Sequence, residues 1–446
     1  MDNKTIYALS TLYGKSGIAV FRISGTKAKN VWQKMTHLDA DQIVARKMYH
    51  TALYHSKTGD MLDQVMLVFF AAPHSFTGED TVEINCHGSK AVIKSVIDSL
   101  QQISEFRLAE AGEFSRRAFY NRKMDLTQAD GLADLIDAET LLQQKTALKQ
   151  LGGTLLSLYD SWRSELVEIL SLIEAYIDFP DENIPQNTVF KIENGVFKMI
   201  EEISKHLSSN KIDERMKDGF KVVISGPTNA GKSSLINALT ARRVAIVSDI
   251  AGTTRDVIDA YVDIKGFPVV FSDTAGLRET SDQIEQIGIN LAKEKIEQAD
   301  YNLFIFDATV DGPEIFADYL SDERNYVLLA NKSDRLNDEK AAELSAKGCL
   351  VISAQNEKNI DLIKDKIYQY FNDLYAQSSS HLITRERYKE CLKECVDNLR
   401  RFNLNKEIEL AAEDIRLACR AIGKITGQVE VDEILDKIFS SFCIGK

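Results

Sequence analysis

A chain of 446 residues is long enough, at about 150 residues per domain, for roughly three domains, which excludes a single small binding module. Its 44% apolar and 27% charged residues, with 23 Gly and 6 Pro, exclude collagenous, low-complexity and wholly disordered chains. The net charge of −13 excludes indiscriminate nucleic-acid binding by the whole chain. The charge is uneven, however: residues 1–125 carry 16 Lys and Arg against 13 Asp and Glu (+3), and the remainder 38 against 54 (−16), so an anionic partner should prefer the N-terminal part.

Met1-Asp2-Asn3-Lys4 leads directly into strand-like Thr5–Leu9 without a targeting pattern. The longest unbroken apolar run, Val65–Ala72, is far short of the roughly 18 residues of a membrane helix, so a cytoplasmic protein is expected. Over residues 1–120, strand-like Gly17–Ile23, Met66–Ala71 and Thr81–Ile84 alternate with amphipathic Ala91–Gln101, which predicts an α+β domain. Over residues 121–215 the period becomes 3.6, through Leu132, Leu135, Ile136, Leu141 and Leu142 and then Leu166, Ile169, Leu170 and Ile173, predicting the first part of a helical domain. Pro180 in Asp178-Phe179-Pro180-Asp181-Glu182 ends a long helix there.

Residues 216–375 alternate β-rich runs (Phe220–Ser225, Val269–Ser272, Asn302–Phe306, Tyr326–Ala330, Leu350–Ser353) with helical patterns, the βαβ rhythm of a doubly wound, mostly parallel sheet. Helical texture returns over 376–446, past the polar junction Gln377-Ser378-Ser379-Ser380. The α/β domain therefore reads as an insertion into the helical one. The six cysteines form no CxxC pair and stand at no zinc spacing, as expected for reduced thiols.

Gly226-Pro227-Thr228-Asn229-Ala230-Gly231-Lys232-Ser233 matches GxxxxGK[ST] between a strand and a helix opening at Ser234-Leu235-Ile236. Backbone N–H groups from Ala230 to Ser234 can cradle phosphates, Lys232 can reach the β and γ oxygens, and the Ser233 hydroxyl can ligate Mg²⁺. Gly252-Thr253-Thr254-Arg255-Asp256 offers the Thr254 hydroxyl to the same ion. Asp273-Thr274-Ala275-Gly276 offers an outer carboxylate and a glycine amide for the γ-phosphate. Asn331-Lys332-Ser333-Asp334 brings a carboxylate, Asp334, that can accept guanine N1–H and its 2-amino group, which adenine cannot supply; Ser353-Ala354 would set a backbone amide near guanine O6. Four such elements in this order predict a GTPase. Leu277 follows Asp273-Thr274-Ala275-Gly276 where a water-orienting glutamine stands in Ras-type enzymes, so the water must be placed from elsewhere, and the acidic stretch Glu279, Asp282, Glu285 is nearest.

Gly226–Ser234 (GPTNAGKSS), Asp249–Asp256 (DIAGTTRD), Asp273–Arg278 (DTAGLR) and Phe439–Lys446 (FSSFCIGK) resemble the bacterial tRNA modification GTPase family MnmE, also called TrmE. So do Phe21–Gly25, Ser75–Asp80 and Gly112–Ser115, and the resemblance covers the whole chain. It implies an N-terminal folate-binding-like domain that forms the homodimer and binds a formyl-tetrahydrofolate-type donor through Arg22, Glu83, Lys123 and Lys446. It further implies K⁺ held by Asn229, Ser248, Ile250 and Thr253, water oriented by Glu285, and hydrolysis driven when two GTPase domains meet. With a flavoprotein partner, MnmG, such proteins add an aminomethyl or carboxymethylaminomethyl group at C5 of the wobble uridine of tRNA. The residues taken alone also suit a ribosome- or RNA-associated regulatory GTPase, or a folate-binding scaffold with a vestigial GTPase. Intact Lys232, Ser233, Thr254 and Asp273 speak against the last. Cys443 and the cluster Arg107, Arg116, Arg117, Arg122 take no assigned role: the first has no visible base, and the second suits either a tRNA contact or a solvated face.

Overall fold

Period-two alternation places Ala19, Phe21 and Ile23 of one strand, and Val82, Ile84 and Cys86 of its neighbour, on a single buried face. That face organises the first of two compact units in the computed structural model, made of Met1–Ala133, Gln150–Val167 and Cys419–Lys446; the second comprises Asp134–Lys149 and Glu168–Ala418. The structure describes residues 4–178, 186–208, 210–240, 260–273, 293–320, 325–377, 385–404, 407–429, 435, 438–440, 442 and 445.

In the first unit, β1 (Thr5–Leu9), β2 (Ser16–Ser24), β3 (Met48–Tyr54), β4 (Met61–Phe70), β5 (Thr81–Gly88) and β6 (Phe106–Leu108) form one sheet in the order β3-β4-β5-β2-β1-β6. Only the β1–β6 pair is parallel. Helices α1 (Asn30–Met35) and α2 (Lys90–Gln101) cover its apolar face through Val31, Trp32 and Met35 and through Ile93, Val96 and Leu100. After α3 (Glu113–Tyr120), the first residues of α4 (Leu126–Asp137) build a smaller core in which Leu126 and Ala129 pack with Leu435, Phe439 and Phe442. Gly112 shows why its residue type is required: φ is +64°, and a Cβ there would collide with the Phe439 carbonyl oxygen.

The helices that follow are α5 (Leu141–Leu151), α6 (Thr154–Asp178), α7 (Gln186–Ser208) and α8 (Asn210–Asp218); α6 ends two residues before Pro180. The sheet of the second unit runs β12-β11-β10-β7-β9-β8 and is parallel except for the β8–β9 pair. Its strands are β7 (Phe220–Ser225), β8 (Ala260–Ile264), β9 (Phe267–Asp273), β10 (Tyr301–Asp307), β11 (Tyr326–Asn331) and β12 (Leu350–Val351). Helix α9 (Lys232–Thr240) follows β7, α10 (Asp338–Ala346) lies between β11 and β12, and α11 (Ile360–Gln377) follows β12. Leu303 and Ile305 of β10 join the core on one face, while Phe304 and Phe306 join Phe316 and Leu344 on the other, so the sheet is buried on both sides. Beyond it, α12 (Glu386–Arg401) packs along α7, and α13 (Ile408–Thr426) follows.

Candidate functional site

At the C-terminal end of β7 the chain turns through Gly226–Gly231 into α9, with left-handed backbone at Asn229 (φ +64°) and Gly231 (φ +99°). Both glycines answer to close neighbours. A Cβ on Gly226 would collide with the Ile305 carbonyl oxygen, and one on Gly231 with the Asn331 amide. Lys232 is buried, and its Nζ donates to the carbonyl oxygens of Gly226 (2.7 Å) and Pro227 (2.8 Å). Ala230 is buried, whereas Ser233 and Ser234 stand exposed in the first turn of α9, where the first N–H groups of a helix have no intrahelical acceptor. The loop thus presents donors to an anion.

A second loop is tied to the first. Asn331, at the end of β11, donates from Nδ2 to the Ala230 carbonyl (2.8 Å) and accepts the Ala354 N–H on Oδ1 (3.0 Å). One buried amide therefore fixes both the Gly226–Gly231 turn and the Ser353-Ala354 turn. The Ala354 N–H is engaged by this brace. Ser353 donates its hydroxyl to Asp334 Oδ1 at 2.6 Å, a contact that foremost holds the Asp334 carboxyl below the ordinary carboxylate range. Lys332 adopts left-handed backbone (φ +64°) and donates from Nζ to Asp307 Oδ2 at 2.6 Å. Burial pushes the Asp307 carboxyl up, but hydrogen bonds from Lys332 and Thr309 outweigh it and hold the group low. Sequence reading placed Asn331, Lys332, Asp334, Ser353 and Ala354 here; it missed Asp307, whose only signal was its position at the end of a strand.

Ser248, Ile250, Thr253, Thr254, Thr274, Ala275, Gly276 and Glu285 lie outside the described residues, as do Cys443 and Lys446. Asp273 ends β9 opposite Ile224, with its backbone alone described. Among the described residues no three His, Cys, Asp or Glu side chains cluster so as to hold a metal ion.

In the first unit, Arg22 and Glu83 are cross-strand partners on the face of β2 and β5 away from the apolar core. Arg22 donates from Nε (3.0 Å) and Nη2 (2.9 Å) to Glu83 Oε1, and its guanidinium lies 5.2 Å from the centre of the Phe76 ring. Lys123 donates from Nζ to the Pro73 carbonyl at 2.9 Å. Arg22 and Lys123 therefore both touch the loop between β4 and β5, though through different residues.

Beside them lies a network that sequence reading did not find. Arg117, 4% exposed, donates to Glu113 Oε1 (3.0 Å), to Glu79 Oε2 (3.0 Å) and to the Lys4 carbonyl (3.0 Å). Arg107 donates to both oxygens of Glu113, at 2.7 and 2.6 Å, and Ser24 donates to Glu79 Oε2 at 2.8 Å. Burial pushes Glu113 up, but Arg107, the Glu110 N–H and Arg117 hold it below the ordinary range. Of the arginines singled out from the sequence, Arg117 is buried and Arg107 is paired, while Arg116 lies over the Phe439 ring at 5.6 Å. The motif residues Glu79 and Glu113 serve this network.

Residues 5–123 match the family model for the N-terminus of the GTP-binding protein TrmE, and residues 126–443 match that for the MnmE helical domain. Proteins named tRNA modification GTPase MnmE in Rickettsia bellii (strain RML369-C) and Rickettsia akari (strain Hartford) are each 45% identical over 447 residues, covering 99% of this chain and 100% of theirs. A solved structure of a GTP-binding protein from the archaeon Sulfolobus solfataricus, in complex with GDP, aligns at 18% identity and TM-score 0.27, covering 48% of this chain and 67% of its own.

Proposed function

We propose, from the premise that this chain belongs to the MnmE family of tRNA modification GTPases, that it hydrolyses GTP in the inserted domain (residues 216–375) and couples that hydrolysis to modification of the tRNA wobble uridine at C5. The observation that carries the reading is Asn331, which ties the phosphate-binding turn to the loop bearing Asp334. Backbone N–H groups of Ala230 to Ser234 bind the phosphates, and Lys232 exchanges the Gly226 and Pro227 carbonyls for phosphate oxygens. Asp334, oriented by Ser353, accepts N1–H and the 2-amino group of guanine. Adenine offers neither donor, and hydrogen bonds to a charged group contribute about 1.5–3 kcal/mol each, so ATP binds at least roughly a hundredfold more weakly.

A magnesium ion suits the exposed Ser233 hydroxyl together with Thr254, and potassium suits the Asn229 side-chain oxygen together with Ser248, Ile250 and Thr253. When bound, these cations neutralise charge that builds on the phosphates. Glu285 orients water for attack. In the first unit, Arg22, Glu83, Lys123 and Lys446 bind a tetrahydrofolate one-carbon donor: the carboxylate suits a pterin's amino-amide edge and the cations its glutamate tail. The protein acts as a homodimer through its N-terminal domain, with the flavoprotein MnmG, on tRNA.

GTP turnover measured in KCl and in NaCl tests the mechanism. We expect faster hydrolysis in KCl, and Glu285→Ala should bind GTP normally but turn it over slowly; equal rates in the two salts refute the potassium step. Mass spectrometry of wobble uridines in a strain lacking the protein tests the pathway, and an unchanged modification pattern would favour an RNA-associated regulatory GTPase.

A further inference from the structure

Asp307 ends β10 directly opposite Asn331 in the parallel register with β11. Its carboxylate is fixed from two sides. Oδ1 accepts the backbone N–H (3.0 Å) and the hydroxyl (2.7 Å) of Thr309, and Oδ2 accepts Lys332 Nζ at 2.6 Å. The Lys332 and Asp307 side chains are only 24% and 17% exposed, so the pair is shielded more than a typical surface ion pair. Lys332 also holds left-handed backbone, which an L-residue adopts at an expense of roughly 1–2 kcal/mol. A contact that fixes its side chain therefore helps to define the loop.

The same tetrapeptide contains a second carboxylate, Asp334, two residues beyond Lys332. An ionised carboxylate has about four acceptor sites. On Asp334 one is taken by Ser353 at Oδ1, and Arg335 Nε stands 3.8 Å from Oδ2. A purine presenting two donors needs one site on each oxygen. An ammonium released beside Asp334 would compete for those sites at charge-assisted strength. The structure instead commits the Lys332 ammonium to Asp307 at the end of β10, at 2.6 Å.

We propose that Asp307 sets base specificity as a positioning residue: it sequesters the Lys332 ammonium and so leaves Asp334 open to the two donors of a guanine base. This deepens the GTP reading and rests on it.

The test uses the full-length protein titrated with GTP, ITP and ATP. ITP keeps N1–H and O6 but lacks the 2-amino group, so the GTP-over-ITP ratio reads the second contact of Asp334. Asp307→Ala should lower that ratio about tenfold, the size of one charge-assisted hydrogen bond. Adding Lys332→Met, which keeps the apolar stem without the ammonium, should restore the ratio to within about threefold of the parent value, a rescue that mere structural damage would not give. Asp307→Asn, nearly isosteric, covers the case in which the alanine variant fails to fold, and should lower the ratio in the same direction. Asp307 variants with the parent ratio overturn the proposal, and so does a double variant that remains as indiscriminate as the single one. If the parent protein itself binds GTP, ITP and ATP equally, the guanine reading fails before Asp307 is in question.

Discussion

Arg117 sits almost wholly inside the first unit with its charge shared between Glu79 and Glu113. Removing one partner of such an arrangement strands the others: Arg117→Met leaves two carboxylates with reduced compensation and should destabilise the protein by about 3–5 kcal/mol, measured by urea unfolding. His206, on α7, carries the opposite kind of burial. It is 5% exposed, and burial pushes its imidazole down to about 4, so the folded protein keeps it neutral where an unfolded chain, with an ordinary value near 6.5, takes up a proton. Its stabilising contribution is complete above pH 6.5 and is lost as the pH falls toward 4, by about 3 kcal/mol in total. Unfolding free energies measured between pH 4.5 and 7 should fall less steeply with acid in His206→Leu than in the parent.

At the scale of elements, the brace from Asn331 makes two loops into one site. Asn331→Ala leaves the Ala230 carbonyl and the Ala354 N–H without this partner, each a loss of about 1–3 kcal/mol if uncompensated, and should weaken GDP binding by roughly 10- to 100-fold in a calorimetric titration. The loops themselves were legible in the sequence because glycine, lysine and asparagine at fixed offsets follow from close backbone approach and left-handed geometry, as at Gly226 and Gly231. Strands with neighbours on both sides were legible through their apolar runs. The strands that went unrecognised, β3, β6 and β8, all lie at sheet edges, where one side is unpaired and the apolar signal thins. The Arg117 network was invisible for another reason: Glu113 lies one helical turn before Arg117, but Glu79 and the Lys4 carbonyl lie 38 and 113 residues away, separations no periodicity encodes.

Across the whole molecule, the cations counted among the N-terminal residues do not all serve one purpose, because Arg107 and Arg117 are spent on Glu79 and Glu113. Composition counts charges but does not say where they point. Among the described residues no helix is long and apolar enough to cross a membrane. The described cysteines Cys86, Cys349, Cys391, Cys395 and Cys419 are all buried, and burial raises the Cys86 thiol to about 12, which keeps that group in its unreactive thiol form.

The packing of Leu435, Phe439 and Phe442 against Leu126 and Ala129 has a bearing on biosynthesis. A polypeptide leaving the ribosome makes its early half of this seam long before the late half exists, and the entire nucleotide-binding portion must be translated in between. The early layer therefore waits with oily side chains uncovered, a stage at which molecular chaperones have something to hold, and closes only once Leu435, Phe439 and Phe442 have emerged.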